Sequence, residues 1–160
     1  MNENLSFLTK YFSLNELEIV DEYSMEIKNP YNGENICILD ESYEDYYQIT
    51  VYFSYQHRHM YDEQKIIEYI NDIVNGNVFA IEFFLGEERH FGGEISKEEL
   101  NSLSYKELEQ RYGYYGSTKL IQLVDSFKVR GWNPKDSFDA RFVKTKNDIV
   151  IVKKEFWTLS

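Results

Sequence analysis

The clearest periodic signal in the chain lies at about Glu63–Asn75. Ile66, Ile67, Tyr69, Ile70, Ile73 and Val74 recur at three- and four-residue spacing, which makes one apolar face of a helix. Asp62 is placed to cap its start, and Gly76 to end it in the left-handed conformation. A helix with one apolar side must lie on another element, and the flanking segments read as strands. Upstream, Tyr23, Met25 and Ile27 alternate with Ser24, Glu26 and Lys28, a strand pattern. Asn29-Pro30-Tyr31-Asn32-Gly33 is a turn signal, a second strand is predicted around Ile36–Leu39, and a third, long one over about Tyr46–His57. Downstream, Val78–Leu85 reads as a buried strand, Gly86-Glu87-Glu88 as a hairpin turn and Arg89–Ile95 as the return strand.

The ends of the chain are less regular. Leu5, Leu8 and Phe12 predict a short amphipathic helix. Ser96-Lys97-Glu98-Glu99 matches a capping box, and Ser104-Tyr105-Lys106-Glu107 repeats it, which predicts two short helices or one kinked helix ending at Gly113. Leu120–Val129 carries both helical spacing and β-forming residues, and is read as a strand. Phe138–Lys144 and Ile149–Phe156 predict a hairpin around Lys146-Asn147-Asp148. Strand runs with helices inserted between them indicate an α+β fold, with helices packed on a mostly antiparallel sheet. If the helix at 63–75 serves as a crossover, the sheet is mixed. With 160 residues and no linker, the expectation is a single domain over 1–160.

Cys37 is the one cysteine, so no internal disulfide forms, and its apolar run predicts a buried small hydrophobe. Met1-Asn2-Glu3-Asn4 has neither the positive charge nor the apolar stretch of a leader, so a cytoplasmic location is expected. No apolar run is long enough to suggest a membrane partner.

Charge is unevenly spread. Residues 1–80 carry 15 carboxylates against 4 Lys and Arg, whereas residues 81–160 carry 13 of each. The formal net charge of −11 therefore lies wholly in the first half. Concentrated charge makes a directed field that steers a basic partner and argues against nucleic-acid binding by that half, because phosphate contacts need Lys and Arg. In the last third, Lys119, Lys128, Arg130, Lys135, Arg141, Lys144, Lys146, Lys153 and Lys154 are interleaved with aromatics. That pattern suits RNA contact, but neutralisation of the acidic half within the molecule is the preferred reading.

Candidate chemistry is sparse. His57 and His59 would share one face of a strand and with His90 or a carboxylate could hold a metal, but a polar strand end leading to Asp62 is the preferred reading. Arg89-His90-Phe91-Gly92-Gly93-Glu94 lacks the spacing of a phosphate loop and reads as a bulge. Gly-x-Ser-x-Gly is absent, and paired carboxylates are too common to single out any one pair. No enzyme is expected, and no cofactor or metal is expected to be required. The stronger feature is Asp40-Glu41-Ser42-Tyr43-Glu44-Asp45-Tyr46-Tyr47, with four carboxylates and three tyrosines in eight positions. Tyrosine buries a large area at low entropic cost, and carboxylates beside it pair with a partner's Lys or Arg. Asp40, Glu41, Tyr43, Glu44, Asp45, Tyr46 and Tyr47 are therefore the candidate partner-binding residues. A solvated loop is the alternative.

In its small acidic α+β character, its Asp40–Tyr47 segment and its lack of catalytic motifs, the chain resembles the immunity proteins encoded beside bacterial polymorphic or contact-dependent toxins. That resemblance implies a protein that binds and neutralises a cognate basic toxin, often a nuclease. Two alternatives stand beside it: a small metal-dependent or hydrolytic enzyme using His57, His59 and His90, and a regulatory or structural subunit of a larger complex.

Overall fold

A computed structural model describes residues 2–102, 124–144 and 149–156. Strands β1 (Leu17–Ile19), β2 (Ser24–Ile27), β3 (Ile36–Asp40), β4 (Ile49–Phe53) and β5 (Gln56–Met60) form one antiparallel sheet in chain order. Helix α1 (Glu63–Val74) then carries the chain to β6 (Val78–Leu85) and β7 (Glu88–Ser96). These belong to a second sheet, ordered β10-β9-β8-β6-β7, with β8 (Ser126–Arg130), β9 (Phe138–Lys144) and β10 (Ile149–Phe156). The fold is α+β and sheet-dominated, and every described strand pairing is antiparallel. Helix α1 is thus a link between two sheets, and the sequence-based options of one sheet and of a crossover within a mixed sheet do not hold.

The long strand expected over Tyr46–His57 is two strands. Ser54 adopts φ 55°, a left-handed conformation, and with Tyr55 it turns the chain so that Phe53 pairs with Gln56. The 17–27 segment also folds back, pairing Leu17 with Ile27 and Ile19 with Met25. At the N-terminus, Glu3–Lys10 forms a 3₁₀ helix that buries Leu5, Phe7 and Leu8, and Asn2 accepts from the Leu5 amide to cap it. The Ser96 capping contact forms as predicted, since Ser96 accepts from the Glu99 amide at 3.1 Å to start α2 (Lys97–Asn101). The Ser104–Glu107 repeat, Gly113, residues 120–123 and the Lys146–Asp148 turn lie outside the described residues, while Ser126–Arg130 is strand as read.

Two apolar clusters hold the domain. The first lies between the 3₁₀ helix, the inner face of the β1–β5 sheet and α1, and takes in Ala80 and Trp132. The second gathers Phe79, Ile81, Phe83, Phe127, Phe138 and Phe142 on the other sheet. Strand β6 serves both, because alternation sends Ala80 one way and its odd-numbered apolar neighbours the other. Ile66, Ile70 and Ile73 of α1 are fully buried, while Glu63, Glu68 and Asp72 face water. A four-part contact ties the layers together. Arg58 of β5 pairs with Glu94 of β7 and lies over the Tyr69 ring of α1, 4.2 Å from its centroid. The Tyr69 hydroxyl donates to Glu94 at 3.1 Å and accepts from buried Gln56 at 2.6 Å. Burial first, and the Glu94 charge next, push the Tyr69 phenol well up, so it stays protonated. Ile70→Ala should destabilise the chain by ~2–5 kcal/mol in urea unfolding, the cost of a cavity in a closed core. An effect near zero would mean that α1 does not pack with this face inward.

Candidate functional site

Alternation along β4 and β5 separates two sets of side chains. Val51, Gln56 and Met60 turn inward and are buried. Tyr52, His57 and His59 stand on the opposite, outer face, where His57 stacks on Tyr52 at 5.2 Å and meets His59 edge-on at 5.0 Å. The β3–β4 hairpin extends this face past the strands proper. The Glu41 amide donates to the Gln48 carbonyl at 2.9 Å, and Tyr43 and Tyr46 exchange backbone hydrogen bonds around Glu44-Asp45. Glu44 makes that tight turn with φ 47°. The Tyr43 and Tyr46 rings lie 5.4 Å apart, and Tyr46 meets Tyr61, just beyond β5, at 5.9 Å. The Tyr46 hydroxyl donates to Gln48 at 3.0 Å, and the Gln48 amide reaches His59 Nδ1 at 3.1 Å. A continuous stripe of contacts therefore runs from Tyr43 through Tyr46, Gln48, His59 and His57 to Tyr52, with Tyr61 alongside.

Most of these rings are open to solvent: Tyr43 is 67% exposed, Tyr61 57% and Tyr46 43%. A recess of ≈ 510 Å³ opens beside Tyr61, walled by Tyr11 and Tyr47, with Asp62 and Glu63 at its rim. Glu41 lies against the middle of the stripe. It accepts from the Thr50 hydroxyl and from the Gln48 amide at 2.8 Å, and lies 3.3 Å from His59 Nδ1. Those hydrogen bonds, Thr50's first, hold its carboxyl below the ordinary range. Strand register extends the face sideways in the row Glu26, Cys37, Tyr52 and His57.

The residues proposed from sequence divide into two groups. Tyr43, Glu44, Asp45 and Tyr46 are exposed at the hairpin tip, and no Lys, Arg or His pairs with Glu44 or Asp45 among the described residues. Asp40 instead points inward and is 8% exposed. It accepts from Asn2 at 2.6 Å, Asn4 at 3.0 Å and the Ser42 amide at 2.9 Å, pinning the N-terminal 3₁₀ helix to β3. Tyr47 packs against the first core, and its enclosed hydroxyl has no hydrogen-bond partner. Burial, with the nearby Glu63, Asp40 and Asp62 carboxylates, pushes that phenol up to about 12. The candidate metal ligands also divide: His57 and His59 meet, whereas His90 stands in the register shift of β7 on the second sheet. The bulge predicted for that segment is present, and a side chain at Gly92 would stand 2.8 Å from the Ile81 carbonyl. Cys37 is half-buried on the outer face, not in the core, and its thiol is pushed up by burial and by Glu26 and Asp21.

Tyr52, Tyr61, Gln48 and Thr50 were not singled out from sequence. Reading Ser54-Tyr55 as a turn would have found the first, because it sets His57 opposite Tyr52. Among the described residues the one ion pair joining the halves, Arg58–Glu94, takes its cation from the acidic half; the side chains of Lys119, Lys144, Lys146, Lys153 and Lys154, named for internal neutralisation, lie outside the described residues. Among the same residues, no helix is long and apolar enough to cross a membrane. No protein-family model, curated protein or solved structure matches the chain.

Hydrogen bonds hold the Asp40 carboxyl below its ordinary range even though burial alone would raise it. A depressed carboxylate contributes stability that is present above its unfolded pKa and lost as pH falls through the folded one. Asp40→Asn should therefore cost about 1.5–3 kcal/mol at neutral pH, the scale of hydrogen bonds to a charged group. The gap to wild type should begin to narrow below about pH 4, where the unfolded carboxyl takes up a proton, and close only once pH has fallen through the lower folded value. Denaturant titrations at several pH values check this, and a gap independent of pH would contradict it.

Proposed function

We propose that this chain is a non-catalytic binding protein of the immunity type, which receives a basic protein partner on the outer face of its first sheet. The observation that carries this reading is the stripe from Tyr43 to Tyr52. It is continuous, rich in tyrosine and lined by Glu41, with Glu44 and Asp45 at its tip unpaired among the described residues. Interfaces concentrate their energy in such aromatic anchors, while carboxylates at the rim govern approach. The excess charge of residues 1–80 adds a field that draws a cationic surface toward this sheet. A cognate toxin with a basic domain is the partner class that the resemblance and the charge both favour. Such a protein would act by covering the toxin's active surface, with no chemistry of its own.

Stopped-flow and surface-binding measurements with the basic domain of a toxin encoded beside this chain test the reading. Glu44→Lys with Asp45→Lys should slow association and flatten its dependence on salt, because among the described residues these side chains make no ion pair that the substitutions would break. Tyr46→Ala should act mainly on dissociation, by about 2 kcal/mol if it is an anchor, with thermal stability nearly unchanged. Tyr47→Ala should do the reverse, lowering stability by about 1–3 kcal/mol through lost packing. Undiminished affinity and salt dependence in the folded Lys and Tyr46 variants would sink the proposal.

A further inference from the structure

The His57–His59 pair has a chemistry that docking does not require. Thr50 Oγ1 is hydrogen-bonded to Glu41, so its proton lies toward the carboxylate. The same oxygen is 2.8 Å from His59 Nδ1, and Glu41 Oε2 is 3.3 Å from that nitrogen. The Gln48 amide nitrogen also lies 3.1 Å from Nδ1, so Nδ1 accepts from Gln48 in one tautomer and donates to Thr50 in the other. Nε2 is the nitrogen outside this network, and an ion bound there selects the second tautomer, with the imidazole proton on Nδ1 and Thr50 accepting it. A carboxylate or hydroxyl behind one ring nitrogen, with the other left basic, is the arrangement that orients metal-binding histidines.

The partner ligand is the neighbouring ring. His57 and His59 are two apart on β5, project from one face and are both exposed, with ring centroids 5.0 Å apart and planes at 74°. Two imidazoles on one tetrahedral ion, at the usual Zn–N length of ~2.0–2.1 Å, have centroids about 5 Å apart. Stacking on Tyr52 restricts the His57 ring to this side of the sheet. Among the described residues no third His, Cys, Asp or Glu completes a cluster, so water fills the remaining positions.

We infer that His57 and His59 form a two-imidazole site for an exchangeable borderline divalent cation, zinc or copper, with Glu41 and Thr50 as positioning residues that hold His59 with Nε2 free. Imidazole suits these ions and not magnesium or calcium, which take oxygen ligands. Two protein ligands leave the ion exchangeable, so the site is no prop for the fold. The inference stands apart from the docking proposal, since it concerns the chain alone.

The experiment is titration of the metal-free full chain with zinc chloride, followed by calorimetry and by the imidazole nitrogen signals in NMR. One equivalent should bind, moving Nε2 of His59 and a ring nitrogen of His57. His57→Ala or His59→Ala should abolish the binding, and Glu41→Gln should weaken it about 10–100-fold, as loss of an orienting partner does. Circular dichroism checks that each variant folds, and because both histidines are exposed either substitution reports alone. Absence of binding by the wild-type chain, zinc binding that survives both His substitutions, or Glu41→Gln behaving as wild type would each overturn the inference.

Discussion

The contact of Arg58 with Glu94, Tyr69 and Gln56 is the point on which the rest of the arrangement depends. It is where the first sheet, the helix and the second sheet meet. Its ion pair is partly exposed and by itself worth little, as such pairs generally are. The buried polar atoms give it weight: Gln56 and the Tyr69 hydroxyl have left water, and each would cost ~1–3 kcal/mol if unpartnered. Their bonds are all satisfied in one register only. A slip of β5 by one residue would bury His57 and His59 and expose Gln56 and Met60. The inner side of β5 thus determines what its outer side displays.

That display gains its meaning from charge. Among the described residues the carboxylates of the β3–β4 hairpin tip, Glu44 and Asp45, pair with no cation, while the second sheet pairs Arg89 with Glu82 and Arg130 with Asp139. Buried Glu82 illustrates the difference. Burial raises its carboxyl, and Arg89, Arg130 and Lys128 offset part of the cost. Among the described residues no cation pairs with Glu44 or Asp45. A surface that repels itself costs stability, and an unneutralised field beside open tyrosines is what a binding face for a cationic protein requires.

Much of this was legible in the sequence where a pattern repeats. The phase of α1 followed from isoleucine spacing, its ends from Asp62 and Gly76, and the 78–96 hairpin from glycine flanked by apolar runs. The turns at Glu44-Asp45 and Ser54-Tyr55 were not legible, because each places a non-glycine residue at positive φ without an Asn-Gly or Asp-Gly signal. Missing the second merged β4 and β5 into one strand and hid the pairing of Tyr52 with His57. The Asp40–Tyr47 segment was correctly seen as rich in tyrosine and carboxylate. Composition could not reveal that Asp40 holds the N-terminal helix and that Tyr47 belongs to the core, since both depend on residues far along the chain. Charge counting found the asymmetry, whereas the ion pairs among the described residues, such as Arg58 with Glu94, depend on strand register that composition does not carry.

The most direct measurement of the central claim is a footprint of the basic partner on this chain by amide hydrogen exchange and chemical-shift mapping. The account predicts protection and shifts along Tyr43, Tyr46, Gln48, Tyr52, His57, His59 and Tyr61, with strands β6 to β9 unchanged. A footprint on the second sheet, with the stripe from Tyr43 to Tyr52 unperturbed, would contradict it.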